Sequence, residues 1–397
     1  MGPDPENHWL DRRRVLTYSL VFALVFLILT IGVVAHSNLV KSDGGPLWFD
    51  FAVFWSASKL SLLGHPGDAY DLSRLHAVLQ GLHPEIREGS YGWFYPPSYL
   101  LLVSPLALLP FIPSYLVFMA VSFTAYAFVV RQTCPRPETL WVLMGFSGVW
   151  DSFLTGQNGF LTAALAGGAL LVLEKKPLTA GLLAGLLAIK PQLALLFPVA
   201  FLASGSWKAL LGMAASALAS LLLSAWVLGF GTLASWADSL GLAKKFLEIG
   251  GTEYWLRMPT VFSAAHLAGM PIPLSYALQL LVACGAAACV WTVWRHCGRR
   301  SLRNASLVAG SLLVSPYVQI YDLTWLALAG AWLIRDAIDW GWLRYEREAL
   351  PALWLLPAAM LAMARIAPFQ IGPWGLLLLL AMLMRRASLA GRGHGYA

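Results

Sequence analysis

Long apolar runs, separated by shorter polar segments, occupy most of this chain. They fall near residues 15–35, 111–130, 139–150, 158–173, 177–189, 191–203, 208–229, 273–294, 305–318, 321–334, 350–364 and 373–384. Apolar runs of about 17–25 residues are typical of transmembrane helices. Several runs here are shorter, which favours broken helices or re-entrant hairpins. The pattern predicts an all-α polytopic membrane protein with about 10–13 transmembrane helices.

Two segments, at about 36–110 and about 230–272, interrupt this pattern. In the first, residues 51–63 have the length and mixed composition of a helix lying flat at the membrane interface. Residues 98–109 are too short to span the membrane and are predicted to be re-entrant or interfacial. We predict one integral membrane domain over 1–397, with both segments as extracytoplasmic loops and a cytoplasmic tail at 385–397.

The composition fits a membrane protein, because only 12% of the residues are charged, roughly half the fraction in soluble domains. Basic residues cluster on one side of the predicted spans, at 12–14, 131–136, 175–176, 208, 295–303, 335–347 and 385–392. The positive-inside rule assigns that side, with both termini, to the cytoplasm. Since loop orientation accounts for the net charge of +7, no nucleic-acid partner is predicted. The first apolar run has no small-residue cleavage site, which predicts a retained helix.

The cysteines and histidines lack the spacing of a metal site. The cysteines are at 134, 284, 289 and 297, and the histidines on the predicted outer side are at 36, 65, 76, 83 and 266. We therefore predict no bound metal and solvated histidines. No Walker or glycine-rich nucleotide-binding sequence is present.

Polar residues near membrane level collect on the outer side of the predicted topology. They are Asp50, Lys59, Asp151, Gln157, Asn158, Lys190, Gln192, Arg257, Tyr317, Gln319, Tyr321 and Asp322. Because they come from separate segments of one leaflet, we predict that they share an extracytoplasmic cavity. Gln157 and Asn158 form either a hydrogen-bonded turn or ligand contacts. Trp93 and Tyr95 suit either stacking on a sugar or anchoring at the interface.

Asp50 is the most informative of these residues, because it lies in the aromatic run Trp48-Phe49-Asp50-Phe51 shortly after the first span. A carboxylate at an apolar interface is costly unless it is paired or used. Two roles are open. Asp50 is either a catalytic base or the N-cap of the following helix, a position where aspartate is favoured.

Two isolated basic residues on the same side are candidates for binding an anion. Lys190 lies in an almost uncharged stretch beside Pro191, where a helix break is predicted. It either binds a phosphate or extends to the lipid headgroups. Arg257 contacts either a substrate phosphate or a lipid phosphate. Asp322 is a substrate-binding candidate, or forms a structural ion pair with Lys190 or Arg257.

Five segments in this order resemble the GT87 family, also called DUF2029, of polyprenyl-phosphate-sugar-dependent glycosyltransferases with the GT-C fold. The first comprises Asp50-Phe51, Phe54-Trp55 and Tyr70-Asp71, and the second comprises Tyr95-Pro96-Pro97 and residues 105–110. The third comprises Gly156-Gln157-Asn158 and residues 181–191. The fourth and fifth are residues 255–260 and 315–323. The resemblance runs from about residue 45 to 335 and rests on order and topology. Some relatives carry a histidine pair where this chain has Ile320-Tyr321-Asp322. A histidine role is therefore not carried over, and Lys190 and Arg257 become the candidates at the donor phosphate.

The resemblance implies a hexosyltransferase that moves a sugar, often mannose, from polyprenyl phosphate to a hydroxyl of a glycolipid or polysaccharide. Transfer would occur among membrane lipids at the periplasmic face of a bacterial inner membrane, with the lipid-linked donor as co-substrate and no cofactor. Asp50 would be the base, and Lys190 and Arg257 would bind the donor phosphate. The substrate-binding candidates are Trp93, Tyr95, Gln157, Asn158, Gln192, Tyr317, Gln319, Tyr321 and Asp322. One base without a second nucleophile predicts a single displacement with inversion.

The main alternative is a secondary transporter, or a flippase for lipids or polyprenyl-linked sugars. Many spans and a broken helix fit that class. The lack of a visible repeat and the one-sided polar residues do not. A cavity open to the outer leaflet and lined by Asp50, Lys190 and Arg257 would favour transfer, whereas a midplane site reachable from both sides would favour transport.

Overall fold

The computed structural model describes residues 8–36, 48–82, 84 and 92–392. Within these residues the protein is built from helices without a β-strand, so the predicted all-α polytopic membrane fold is confirmed. In chain order the α-helices are α1 (Arg12–His36), α2 (Phe49–Leu62), α3 (Leu72–Leu82), α4 (Pro97–Val103), α5 (Phe111–Thr133), α6 (Thr139–Met144), α7 (Ser147–Thr155), α8 (Gly159–Val172), α9 (Pro177–Gly185), α10 (Leu196–Ala203), α11 (Trp207–Leu228), α12 (Gly231–Ile249), α13 (Thr252–Leu256), α14 (Val261–Leu267), α15 (Ile272–His296), α16 (Arg300–Val314), α17 (Thr324–Trp340), α18 (Glu346–Ile366) and α19 (Gly372–Arg392). Short 3-10 turns are Pro66–Tyr70, Ser104–Leu108, Leu186–Ile189, Pro191–Leu193 and Ile320–Leu323. Parts of the predicted first outer loop, 37–47 and 85–91, lie outside the described residues.

Six of the described helices are long and apolar enough to span a membrane, namely α1, α5, α11, α15, α18 and α19. Large apolar side chains stand exposed along them, such as Leu218 and Trp226 on α11. Such a surface would favour aggregation in water. In a bilayer it contacts lipid, and the intrahelical hydrogen bonds satisfy the backbone.

The shorter predicted runs are interrupted helices. The run at 139–150 is divided at Gly145 between α6 and α7. A Cβ on Gly145 would lie 2.7 Å from the carbonyl oxygen of Ser19 in α1, so the missing side chain permits this close contact. The runs at 177–189 and 191–203 contain α9 and α10, which are separated by two 3-10 turns around Lys190 and Pro191. Pro191 lacks an N–H group, so a regular helix does not continue through it.

The helix predicted at residues 51–63 is present as α2, and most of it is buried inside the protein. Residues 51–58 are all buried. The helix packs against the 3-10 turn Ser104–Leu108, where the Ser58 hydroxyl donates to the Ser104 carbonyl oxygen at 2.6 Å.

The antiparallel pair α15 and α16 defines two ends of the molecule. At what we call the cavity end, α15 begins at Ile272 and α16 ends at Val314. At the opposite end, α15 ends at His296 and α16 begins at Arg300. The two ends carry different chemistry, as described below.

The predicted cytoplasmic tail begins inside a helix. Residues 385–392 continue α19, and Arg386 is only 2% exposed. It forms ion pairs with Asp336 of α17 and Glu346 of α18 at the opposite end. These contacts extend the membrane domain beyond the last apolar run.

Candidate active site

A large cavity of about 1010 Å³ opens at the cavity end. Its walls come from α2, the segment after Gly92, the break around Pro191, α12, α13, the start of α15 and the segment between α16 and α17. Eight predicted site residues line it: Asp50, Tyr95, Gln157, Gln192, Arg257, Tyr317, Gln319 and Tyr321. Four others do not line it: Trp93, Asn158, Lys190 and Asp322. The separate polar segments of the sequence thus meet around one space.

Asp50 lies in the first turn of α2 and lines the large cavity. The N-cap residue is Trp48, which adopts a left-handed conformation with φ 56° and stacks on Tyr115 at 4.2 Å. Asp50 is therefore not the N-cap, which removes the simplest structural role considered for it. The helix N-terminus still favours an ionised carboxylate at this position.

Tyrosine hydroxyls surround Asp50 from separate segments. Burial raises the pKa of Tyr254 to about 12, and the negative charge of Asp50 adds to the rise. Burial also raises the pKa of Tyr95, with further contributions from Tyr99 and Asp50. Both hydroxyls therefore stay protonated at physiological pH.

Gln157 belongs to the turn between α7 and α8. Its Oε1 accepts hydrogen bonds from the Tyr95 hydroxyl at 3.1 Å and from the Asn158 N–H at 2.9 Å. The turn depends on Gly156, which has a left-handed φ of 71° and would place a Cβ only 2.5 Å from the Phe51 Cβ. The turn therefore fixes Tyr95 and also sets the position of α2, the helix that carries Asp50.

Trp93 and Asn158 lie behind the cavity wall. Trp93 is 1% exposed and stacks on Tyr99 at 5.5 Å. Asn158 is fully buried and is the N-cap residue of α8. Neither side chain lines the large cavity, and Trp93 packs against Tyr95 with 5.2 Å between the ring centres.

Lys190 forms a buried ion pair with Asp322, with 2.6 Å between Nζ and Oδ1. The other carboxylate oxygen accepts from the Gln319 N–H at 3.1 Å, and the ammonium group lies 4.5 Å from the centre of the Tyr321 ring. Both charged side chains are at most 1% exposed. The structural ion pair considered from the sequence is therefore formed, and Lys190 does not line the large cavity.

Arg257 is the predicted cation that does line the large cavity. It follows α13, and none of the ion pairs among the described residues includes it. Gln370 holds this segment by donating from its amide to the Leu256 carbonyl oxygen at 2.8 Å. The guanidinium is thus available to an anionic ligand.

Four cavity residues of the second outer segment were not predicted from the sequence. Lys244, Lys245, Glu253 and Tyr254 all line the large cavity. Lys244 is 3.7 Å from Glu248 one turn away. The available signal was the pair of adjacent lysines in α12, a helix whose mixed composition resembles that of an ordinary interfacial helix.

The arrangement combines a carboxylate, a cation and aromatic walls in one space. A carboxylate accepts a proton from a hydroxyl, and a guanidinium binds a phosphate through paired hydrogen bonds. Aromatic rings provide flat surfaces that pack against apolar faces of a ligand. Within the described residues, no group of three or more histidine, cysteine or acidic side chains is placed to hold a metal ion.

Comparison with known proteins identifies the family. Neither a curated protein nor a solved structure matches the chain. The family model described as glycosyltransferase family 87 matches residues 93–316, a range that includes Tyr95, Gln157 and Arg257 but not Asp50. Because this range covers more than half of the 397 residues, the chain belongs to glycosyltransferase family 87 and is a membrane glycosyltransferase.

Proposed function

We propose that this enzyme transfers a sugar, mannose or another hexose or pentose, from polyprenyl phosphate to a hydroxyl of a glycolipid or polysaccharide. The observation that carries the proposal is that Asp50 and Arg257 line the same cavity, among tyrosine hydroxyls. No cofactor takes part, because the lipid phosphate is already a good leaving group.

Asp50 acts as the general base. Its carboxylate takes the proton of the acceptor hydroxyl while the acceptor oxygen attacks the anomeric carbon. The bond between that carbon and the phosphate oxygen breaks, and polyprenyl phosphate leaves. A general base of this kind contributes about 10²–10⁴-fold to the rate. With Asp50 acting as a base and not as a nucleophile, the acceptor oxygen itself displaces the phosphate, so the reaction is a single displacement with inversion.

Arg257 binds the donor phosphate. Its side chain lines the cavity and is not engaged by any carboxylate of the described residues. The leaving phosphate gains negative charge as the glycosidic bond breaks, and a fixed guanidinium stabilises that charge. Lys245 lines the same cavity and adds positive potential at its mouth.

The cavity faces the periplasm of a bacterial inner membrane, with both termini in the cytoplasm. The support is the distribution of arginine and lysine. Arg299, Arg300, Arg303 and Arg386 lie at the opposite end, which the positive-inside rule assigns to the cytoplasm.

Transport is the less favoured function. Transporter sites lie near the bilayer midplane and are reached alternately from both sides. Here the cavity is lined by Tyr276, near the start of α15, and Pro316, just after the end of α16. This position suits a reaction at one membrane surface.

The test uses the full chain in lipid nanodiscs with a panel of radiolabelled polyprenyl-phosphate sugars and a membrane extract as acceptor. We expect transfer from one donor sugar, with inverted anomeric configuration in the product by NMR. A product with retained configuration would exclude the single displacement. Transfer from a nucleotide sugar but from no polyprenyl-phosphate sugar would overturn the donor class.

A further inference from the structure

A second cavity, of about 450 Å³, lies at the opposite end of the helices. It is formed by the end of α8, the start of α9, the α10–α11 junction, the end of α15 and the start of α16. On α15, Tyr276 lines the large cavity and Trp294 lines the second cavity. At the helical rise, these residues are about 27 Å apart along the axis. The two cavities therefore face opposite membrane surfaces.

Positive charge dominates the second cavity, because three cationic side chains and one carboxylate line it. Glu174 lies 3.0 Å from Arg303 and 3.6 Å from Arg300. Arg300 also donates to the carbonyl oxygens of Leu170 and Leu171, which close the end of α8. These contacts hold both guanidiniums in place, while the net charge of the cavity stays positive.

Two further donors in the cavity wall are not used by the protein. Asn304 is only 2% exposed, and its Nδ2 has no hydrogen-bond partner among the described residues. A buried donor without a partner destabilises a protein, so its presence calls for an acceptor from outside the chain. Lys208 belongs to none of the ion pairs found between described residues. The starts of α11 and α16 add the positive ends of two helix dipoles.

We propose that the second cavity binds the phosphate of an anionic phospholipid headgroup. A phosphodiester oxygen accepts from Asn304 Nδ2, and its charge is balanced by Lys208 and Arg303. Basic pockets between membrane helices on the positively charged side bind such headgroups. The volume of the cavity lies within the range of about 300–1,000 Å³ that is typical for small ligands.

The surroundings favour a lipid over a soluble anion. Trp207 is 62% exposed at the rim of the cavity, as expected for an aromatic residue at headgroup level. Leu178 of α9 and Leu211 of α11 stand exposed beside it. The two helices touch closely there, since a Cβ on Gly212 would lie 2.6 Å from the Leu178 carbonyl oxygen. This seam gives the acyl chains an apolar path that a soluble anion does not need.

The test compares the full chain in nanodiscs of phosphatidylcholine alone and with about one-fifth phosphatidylglycerol, a fraction that gives an anionic surface. The variants are Lys208→Ala and Asn304→Leu, and the control is Lys175→Ala, an exposed lysine outside the cavity wall. We expect phosphatidylglycerol to raise the unfolding temperature of the wild type and the control. Each cavity variant should lose most of this rise and retain about fivefold less phosphatidylglycerol by native mass spectrometry.

For each variant, the quantity compared is the difference in unfolding temperature between nanodiscs with and without phosphatidylglycerol. A general loss of stability lowers both temperatures and therefore cancels. Equal phosphatidylglycerol retention in the wild type and both cavity variants would overturn the proposal. A second arm titrates inorganic phosphate in phosphatidylcholine nanodiscs, where we expect no shift. If inorganic phosphate raises the unfolding temperature at least as much as phosphatidylglycerol does, the cavity binds a soluble anion. That result would overturn the lipid assignment.

Discussion

The large cavity and the cluster around Arg386 treat charge differently. At the cavity end, Asp50 and Arg257 line an open space. At the opposite end, Arg386 binds Asp336 and Glu346, and all three side chains are at most 2% exposed. Charges enclosed in protein are stable only when they satisfy one another. Charges that line a cavity can instead serve a ligand, as functional charges within membranes commonly do.

The Lys190–Asp322 pair shows that position alone does not decide the role of a charge. It lies at the cavity end, beside Ile189 and Gln192 of the cavity wall. Its charges are nevertheless enclosed like those around Arg386. Solvent access therefore separates candidate catalytic groups from structural ones better than distance from the cavity.

The largest expected effect is on Asp50. Asp50→Asn should lower turnover by about 10²–10⁴-fold, because it removes the proton acceptor while keeping the shape of the side chain. The measurement is steady-state transfer in nanodiscs, together with the unfolding temperature. The control is Asp71→Asn, an exposed carboxylate that accepts from the Ser73 N–H at 2.8 Å near the start of α3. We expect near-normal turnover in the control. Normal turnover in folded Asp50→Asn would exclude Asp50 as the base.

The next effect tests the buried ion pair at the cavity end. Lys190→Met alone should lower the free energy of unfolding by about 3–5 kcal/mol, because it leaves Asp322 buried without its cation. The double variant Lys190→Met with Asp322→Asn should recover most of this loss, since an asparagine oxygen still accepts from Gln319. Denaturant unfolding in detergent measures both.

The same double variant also separates structure from catalysis. Because Lys190 does not line the cavity, we expect the double variant to keep most of its turnover. A folded double variant as inactive as Asp50→Asn would mean that the pair acts on the substrate, and the comparison between enclosed and cavity-lining charges would fail.

A smaller effect is expected at Arg257. Arg257→Gln should raise the apparent KM for the donor by about 10–100-fold, which corresponds to the loss of a hydrogen bond between charged groups. The matched control is Arg74→Gln, an exposed arginine of α3 outside the cavity wall. An unchanged donor KM in Arg257→Gln would remove Arg257 from the phosphate site.

The smallest effect tests how the wall positions Asp50. Gly156→Ala should destabilise the protein by about 1–3 kcal/mol, because the new methyl group meets Phe51 of α2. Gly205→Ala is the control, with a similar φ of 67° but no atom within 4 Å of the added carbon. Both variants are destabilised by an alanine in the left-handed conformation. Only Gly156→Ala also displaces α2, so only this variant should lower turnover. Equal turnover in the two variants would show that this contact does not set the position of Asp50.

The fold could be predicted from the sequence because a segment that crosses lipid needs apolar side chains and a helical backbone that satisfies its own hydrogen bonds. The breaks near Gly145 and Lys190 were visible as short runs and a proline. The buried state of α2 was not predictable, because an apolar helix has a similar composition at an interface and in a core. Only its packing against the turn Ser104–Leu108 distinguishes the two.

The sequence predicts most of the residues of the candidate site but not which of their side chains pair with one another. One-sided polar residues placed Asp50, Gln157 and Arg257 at one surface, and the structure brings them to one cavity. The pairing of Lys190 with Asp322 joins residues 132 positions apart, which no local pattern specifies. Tyr254 was missed because a tyrosine in an outer segment resembles an ordinary interfacial anchor.

The distance in sequence between Lys190 and Asp322 has a consequence for how the protein is made in the cell. The ribosome completes α9 and α10 well before it synthesises Asp322, since 132 positions separate the partners. A lysine without a partner is costly inside a bilayer. The buried ion pair therefore forms only after the segment between α16 and α17 has been made. A chain truncated before Asp322 therefore lacks the carboxylate that pairs with Lys190.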